Sequence, residues 1–336
     1  MRVAIVGLGY WGPNLVRNFS SVKGVDVAYV CDFRQERLNM IQQQYPRVSC
    51  TSRFEDLMDD ATLDAVVIAT PVFTHFDLAK KALLSGKNVL IEKPMTSTAA
   101  EAQELMQIAQ RMGKLLMVDH TFLYTGAVQK IKRLMEEGVI GKPTYFDSTR
   151  INLGLFQPDI NVLWDLAPHD ISILDYLIDE KPYSVNATGV SHTGNGIENI
   201  AYLTVNYQSG FIAHFNCSWT SPVKLRNILI GGDKKMLLFN DLEPSEKIRV
   251  YDTGYEHKSD EDKRRVMVDY RAGDVYIPKV EQKEALFGMA SDFVAAIKEK
   301  REPISNAQSG LRVIRILEAS QKSIKANGKE IVLQWN

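Results

Sequence analysis

The chain has 336 residues, enough for two domains and a sizeable core. Hydrophobic residues make up 45% and charged residues 24%, and Lys+Arg 40 against Asp+Glu 41 leaves a formal charge of −1, so no overall field draws the protein toward nucleic acid or an anionic membrane. No apolar run approaches the ~20 residues that span a bilayer. Cys31, Cys50 and Cys217 include no C-x-x-C pair, which argues against a disulfide framework and against zinc, and for a reducing, cytoplasmic setting. A strand starts at once, so no leader is expected.

"RVAIVGLGYWGPNL" (2–15) is a β-branched run followed by Gly7-x-Gly9-x-x-Gly12. In such a turn Gly7 permits the tight bend, Gly9 lets backbone approach a pyrophosphate, and Gly12 allows close helix–strand packing. The following helix presents N–H groups and a positive dipole to the phosphates. Tyr10 and Trp11 lie in the same loop and are candidate cofactor contacts. The next strand, "VDVAYVCD" (25–32), ends in Asp32, 20 residues beyond Gly12, where an acid meets the ribose 2′-hydroxyl. A carboxylate there repels a 2′-phosphate, favouring NAD over NADP; Arg34 is close enough to complicate that preference.

Strands and helices then alternate. Strand 64–70 leads into Thr70-Pro71, and an amphipathic helix follows over 75–86, opening with His75. "KNVLIE" is the next strand. Helix 96–114 carries Thr98 and Glu101 in capping-box spacing, and strand 115–120 closes the series. The alternation predicts a Rossmann-type, doubly wound parallel sheet over residues 1–121, with the ligand at the carboxyl ends of the strands. Glu92 and Lys93 fall there, and Pro94 holds Lys93 in extended geometry, with a cis bond possible. A lysine at the end of a buried strand is costly unless it has a task.

From residue 122 the pattern changes to an α+β domain running to residue 336. Helix 125–138 is followed by strand-like runs at 144–152, 183–192, 200–207, 211–219, 226–239, 247–252 and 266–270, implying a large, mostly antiparallel open sheet. "YEHKSDEDKRR" (255–265) reads as a solvated loop. Two helices, near 284–300 and 308–326, end the chain. The strand at 211–219 suits a subunit interface as well as it suits a core. Within "NVLWDLAPHDISILDYLID" (161–179), Asp165 and His169 share one helical face at i and i+4. A carboxylate one turn from an imidazole can orient it and raise its basicity, which suits a proton acceptor. Asp170 reads as a supporting or surface charge. No third ligand is spaced for a metal.

Glu92-Lys93-Pro94, the glycine fingerprint, Asp165-x-x-x-His169, "ATPVFTH" (69–75), "GVIGKP" (138–143) and "WDLAPHDISIL" (164–174) together resemble the glucose–fructose oxidoreductase/inositol dehydrogenase/rhizopine catabolism (Gfo/Idh/MocA) family over essentially the whole chain. The resemblance implies a Rossmann domain, an open-sheet domain through which homodimers or homotetramers form, and NAD(P)-dependent oxidation of a sugar hydroxyl. By that likeness His169 accepts the hydroxyl proton, Lys93 stabilises the oxygen's developing charge, and Asp165 positions substrate. Thr121, Tyr124, Arg150, Asn152 and Trp164 are candidate sugar contacts. Where many members carry an Asn-Arg-like pair, this chain reads Asp119-His120-Thr121-Phe122. The segment 150–170 also looks like nucleotide-sugar members in surface-polysaccharide pathways, including UDP-N-acetylglucosaminuronate 3-dehydrogenases. Two alternatives share the fold: an NAD-dependent glycosidase that oxidises C3 transiently, and a non-catalytic nucleotide-sensing protein similar to the yeast galactose-pathway repressor. The presence of Lys93, Asp165 and His169 counts against the last.

Overall fold

The computed structural model describes residues 1–154, 156–157, 159–194, 196–256 and 269–335. They form two compact units: Met1–Thr125 with Lys283–Arg315, and Gly126–Gln282 with the residues from Ile316 on. The boundary expected near residue 121 thus falls after Thr125. The segment Lys283–Arg315, expected in the second domain, returns to the first unit.

The first unit holds six parallel strands: β1 (Arg2–Val6), β2 (Asp26–Cys31), β3 (Ser49–Thr51), β4 (Ala65–Ile68), β5 (Asn88–Glu92) and β6 (Leu116–Asp119). They lie in the order β3-β2-β1-β4-β5-β6, so the winding reverses between β1 and β4, the switch point where doubly wound sheets bind ligands. Helices α1 (Gly12–Ser21), α2 (Gln35–Gln44), α3 (Glu55–Asp59), α4 (His75–Leu84) and α5 (Ala99–Met112) connect the strands. Val3, Ala4, Ile5, Val66, Ile68, Leu90 and Ile91 are all buried, as a sheet covered on both faces requires. The capping box expected at Thr98 is present: its side chain accepts from the Glu101 backbone N–H while the Glu101 side chain accepts from Thr98, and Gly113 ends α5 in the left-handed region. The Lys93–Pro94 peptide is cis.

The second unit holds helices α6 (Gly126–Glu136) and α7 (Val162–Leu177) and a nine-stranded sheet. Its strands are β7 (Pro143–Ile151), β8 (Ser184–Val190), β9 (Ile200–Asn206), β10 (Ile212–Ser218), β11 (Leu225–Gly232), β12 (Met236–Asn240), β13 (Ile248–Glu256), β14 (Asp269–Tyr276) and β15 (Ile331–Val332), in the order β14-β13-β12-β11-β7-β10-β9-β8-β15. All neighbours are antiparallel except β7 and β10, as expected of a mostly antiparallel sheet. The run 226–239 is a hairpin of β11 and β12. Of the loop read at 255–265, residues 257–265 lie outside the described residues, as do residues 266–268 of the strand expected at 266–270. The sheet's two faces differ. Phe146, Leu203, Phe215, Ile228 and Ile230 point inward, whereas Tyr202, Ile212 and Leu229 remain exposed on the other side. Helix α8 (Ala285–Glu299) belongs to the first unit, where Phe293 meets Phe19 of α1 edge-on with centroids 6.1 Å apart. Helix α9 (Ala307–Lys325) passes from the first unit into the second.

One ion pair inside the second unit alters the expected role of Arg150 and decides between the two readings of Asp170. Arg150 donates from Nε to Asp170 Oδ2 (2.9 Å) and from Nη2 to Oδ1 (2.6 Å), and the Ser148 hydroxyl donates to Oδ2 (2.7 Å). Both partners are buried, at 5% and 2% exposure. Asp170 is therefore an interior charge rather than a surface one, and Arg150 ties β7 to α7 rather than offering its guanidinium to a sugar. Removing one member strands the other's charge in a dehydrated interior, so Asp170→Ala costs about 3–5 kcal/mol. Denaturant unfolding checks this; a loss below about 1 kcal/mol contradicts it.

Candidate active site

The glycine loop after β1 has the shape that its spacing predicts. Gly7 sits at φ +92°, and a Cβ there would lie 2.5 Å from the Ala69 carbonyl oxygen. A Cβ on Gly12 would meet the Gly7 carbonyl oxygen at 2.3 Å. A Cβ on Gly9 would meet nothing within 4 Å, so Gly9 leaves the loop open where a ligand approaches. Tyr10 and Trp11 are exposed and pack edge to face. Asp32, at the end of β2, is buried and accepts the Leu8 backbone N–H at Oδ2 (2.7 Å) and the Arg34 N–H at Oδ1 (2.9 Å). Arg34 also clasps it through Nε (2.9 Å) and Nη2 (2.8 Å). Burial alone would raise the Asp32 carboxyl, but the bonds from Arg34 and Leu8 outweigh it and hold the carboxyl at about 2. Arg34 in turn lies over the exposed Phe33 ring. An open glycine cradle beside a buried, ionised acid fits the pyrophosphate and ribose of a dinucleotide.

The carboxyl ends of β5 and β6 carry the charged groups. Lys93 is half-buried, and its backbone N–H donates to Glu92 Oε2 (3.2 Å). Glu92 and Asp119 are register partners on the two strands. Burial raises the Glu92 carboxyl well above its usual range, Asp119 adds to that, and Lys93 opposes it. Burial likewise raises Asp119 to about 6, against the opposing bond from Thr121. His120 is fully enclosed and neither ring nitrogen has a hydrogen-bond partner among the described residues; burial, reinforced by Lys93, pushes it down to about 3. Thr121, half-buried, gives its hydroxyl to Asp119.

In the second unit, Asn161 caps α7 by accepting the Trp164 N–H (3.1 Å). One turn in, Asp165 accepts the indole N–H of Trp219 at Oδ2 (3.0 Å), which fixes the carboxylate's direction. His169 follows a turn later on the same face of the helix, and both are half-buried, as is Trp164. Asn152 is half-buried after β7, with its N–H on the Ser218 carbonyl. Pro168 removes the N–H that would bond the Trp164 carbonyl, loosening α7 beside this pair.

Two sequence-predicted contacts are consumed by the interior. His75, expected at the cofactor, is buried, with Nε2 on the Thr70 carbonyl (2.8 Å) and Nδ1 on the Pro94 carbonyl (2.9 Å). It braces the Thr70-Pro71 turn against the Lys93–Pro94 turn. Tyr124, expected at the sugar, is buried, donates its hydroxyl to Asp292 Oδ2 (2.8 Å) and accepts the Ser305 N–H. It anchors the returning segment. Conversely, sequence reasoning set Asp119, an acid ending the strand expected beside Glu92, at the ligand edge without giving it a role, and it passed over Trp219, which carried no signal.

Residues 1–120 match the family model described as oxidoreductase family, NAD-binding Rossmann fold, and residues 128–238 match that of the GFO/IDH/MocA C-terminal domain. The chain belongs to the Gfo/Idh/MocA family of oxidoreductases, and its first domain is that family's NAD-binding domain. It is similar to the oxidoreductase YdgJ of Escherichia coli strain K12, 31% identical over 182 residues, which cover 50% of this chain and 51% of YdgJ. The match thus spans about half the length of that relative. It is also similar to the UDP-N-acetylglucosamine 3-dehydrogenase of Acidithiobacillus ferrooxidans, 30% identical over 222 residues (65% of this chain, 67% of that one). A solved structure of that enzyme superposes with a TM-score of 0.80 at 25% identity, covering 97% of this chain and 98% of that one. The scyllo-inositol 2-dehydrogenase (NAD(+)) of Bacillus subtilis is 26% identical over 235 residues (66% and 68%).

The loop geometry separates two glycines by consequence. Gly9→Val is expected to leave the melting temperature of the cofactor-free protein unchanged and to weaken NAD binding at least ~10-fold, about 1.4 kcal/mol. Gly12→Ala is expected to destabilise the fold itself by about 1–3 kcal/mol, because its Cβ meets backbone. Calorimetric titration and thermal melts check the pair; tight NAD binding by Gly9→Val contradicts the assignment.

Proposed function

We propose that this protein is an NAD-dependent oxidoreductase that moves a hydride between a sugar or nucleotide-sugar carbinol carbon and nicotinamide. The observation that carries this reading is Lys93: a cation at the carboxyl edge of the sheet whose glycine loop is open to a dinucleotide. NAD, when bound, supplies the hydride acceptor. Lys93 hydrogen-bonds the substrate oxygen and stabilises the negative charge that develops there. His169 takes the hydroxyl proton, and Asp165, held by Trp219, keeps the helix face oriented for it. Thr70 and Pro71 border the cofactor's course; Thr121, Asn152 and Trp164 are the remaining candidates for sugar contact. The likeness to a UDP-N-acetylglucosamine 3-dehydrogenase favours a nucleotide sugar, and with it a role in surface-polysaccharide precursor supply. All three cysteines are free thiols, which fits a cytoplasmic setting. Among the described residues no helix is long and apolar enough to cross a membrane. The exposed row Tyr202, Ile212 and Leu229 supports pairing of two copies through the open sheet, giving a dimer or tetramer.

The test is NADH absorbance with NAD and NADP in parallel against inositols, free hexoses, UDP-N-acetylhexosamines and their uronic acids, together with separate mixtures in which 2-oxoglutarate drains retained NADH and the keto product is read by mass spectrometry. Turnover with NAD on at least one sugar is expected. Lys93→Ala lowers that turnover at least ~10²-fold, the low end for a lost electrostatic or proton-transfer group. Near-normal turnover by Lys93→Ala overturns the assignment. Silence across the panel with tightly held NAD points instead to internal-redox glycoside cleavage or ligand sensing.

A further inference from the structure

The edge of the first unit holds more acid than one lysine needs. Glu92 and Asp119 end neighbouring parallel strands in register, which sets their Cα atoms about 4.8 Å apart with side chains on the same face. Asp119 is 2% exposed. Its Oδ1 takes the Thr121 hydroxyl, and its Oδ2 has no donor among the described residues apart from what the neighbouring carboxyl can offer. Two dehydrated carboxyl groups this close do not both ionise; one keeps its proton and donates it to the other.

We propose that Asp119 is a positioning residue for Lys93: Glu92 and Asp119 share one proton, and the single negative charge that remains holds the Lys93 ammonium in place. This rests on the reading of Lys93 given above. The groups facing the pair are Lys93, the Thr121 hydroxyl and, beside Lys93, His120, which its enclosure keeps neutral. The cluster is then neutral overall: one proton on the acids, one carboxylate, one ammonium. As pH falls through about 6, the second acid takes a proton and Lys93 loses its partner. As pH rises the pair resists losing its first proton, since burial and the like charge both disfavour it. The two steps belong to the pair rather than to either residue.

The experiment is the pH profile of kcat/KM for the wild type, Asp119→Asn and Lys93→Ala, beside infrared spectra of protein labelled with 13C-carboxyl aspartate and glutamate. In Asp119→Asn the proton donated by the neighbouring acid is replaced by a weaker amide N–H, while burial still disfavours the Glu92 carboxylate. The acid limb of the profile therefore moves up by at least about one pH unit. A residue that merely supports the fold would change the height of the profile and leave its midpoint. The wild type is expected to keep a protonated carboxyl band at neutral pH, above its acid limb, whereas Asp119→Asn loses its band above its own limb. An unmoved acid limb with an inactive Lys93→Ala overturns this proposal and leaves the function standing. An active Lys93→Ala overturns the function, and the infrared band then decides the shared proton alone. Should Asp119→Asn fail to fold, the wild-type spectrum still decides: no protonated carboxyl at neutral pH overturns the proposal.

Discussion

Dehydration is the constraint on which this structure turns. A parallel sheet covered on both faces leaves no room for charge along its strands, so the polar side chains that this unit turns toward a ligand sit where its strands end. β1 delivers the glycine loop, β2 delivers Asp32, β4 delivers Thr70-Pro71, and β5 and β6 deliver Glu92, Lys93 and Asp119 to one edge. Charges there are half out of water, so each must be balanced by a neighbour. Arg34 balances Asp32. Lys93 and the two acids balance one another. The same dehydration that makes the arrangement costly strengthens each interaction within it, which is what stabilising charge in a transition state demands.

Much of this was legible in the sequence because it rests on local rules. Glycine spacing, the acid 20 residues beyond Gly12, the capping box at Thr98 and strand–helix alternation each involve residues close in the chain. Helix periodicity likewise placed Asp165 and His169 on one face of α7. What the sequence hid is which polar residues are already spoken for. His75, Tyr124 and Arg150 each read as ligand contacts. Their partners are the Pro94 carbonyl, Asp292 and Asp170, at separations of 19, 168 and 20 residues. No local pattern reports such pairings, and a residue type suited to sugar is equally suited to bracing an interior.

The return of Lys283–Arg315 to the first unit was hidden for the same reason. Its helix reads like any amphipathic helix, and only the Tyr124–Asp292 bond, the Phe19–Phe293 contact and the Glu284 pair with Arg17 and Asn18 show where it packs. Tyr124 gave up a presumed role at the sugar to anchor this segment. Trp219, just after β10, fixes the direction of the Asp165 carboxylate through its indole N–H. Interior polar bonds thus set the local geometry within each unit.

The central claim is that a substrate hydrogen leaves as hydride for NAD at this carboxyl edge. The most direct measurement uses UDP-N-acetylglucosamine and scyllo-inositol deuterated at their carbinol carbons, incubated with the protein and NAD, with the recovered nicotinamide examined by mass spectrometry. Deuterium at nicotinamide C4 from at least one substrate, arriving at least ~10²-fold more slowly with Lys93→Ala, is the predicted result. Turnover of a substrate with no deuterium reaching the nicotinamide would contradict the account.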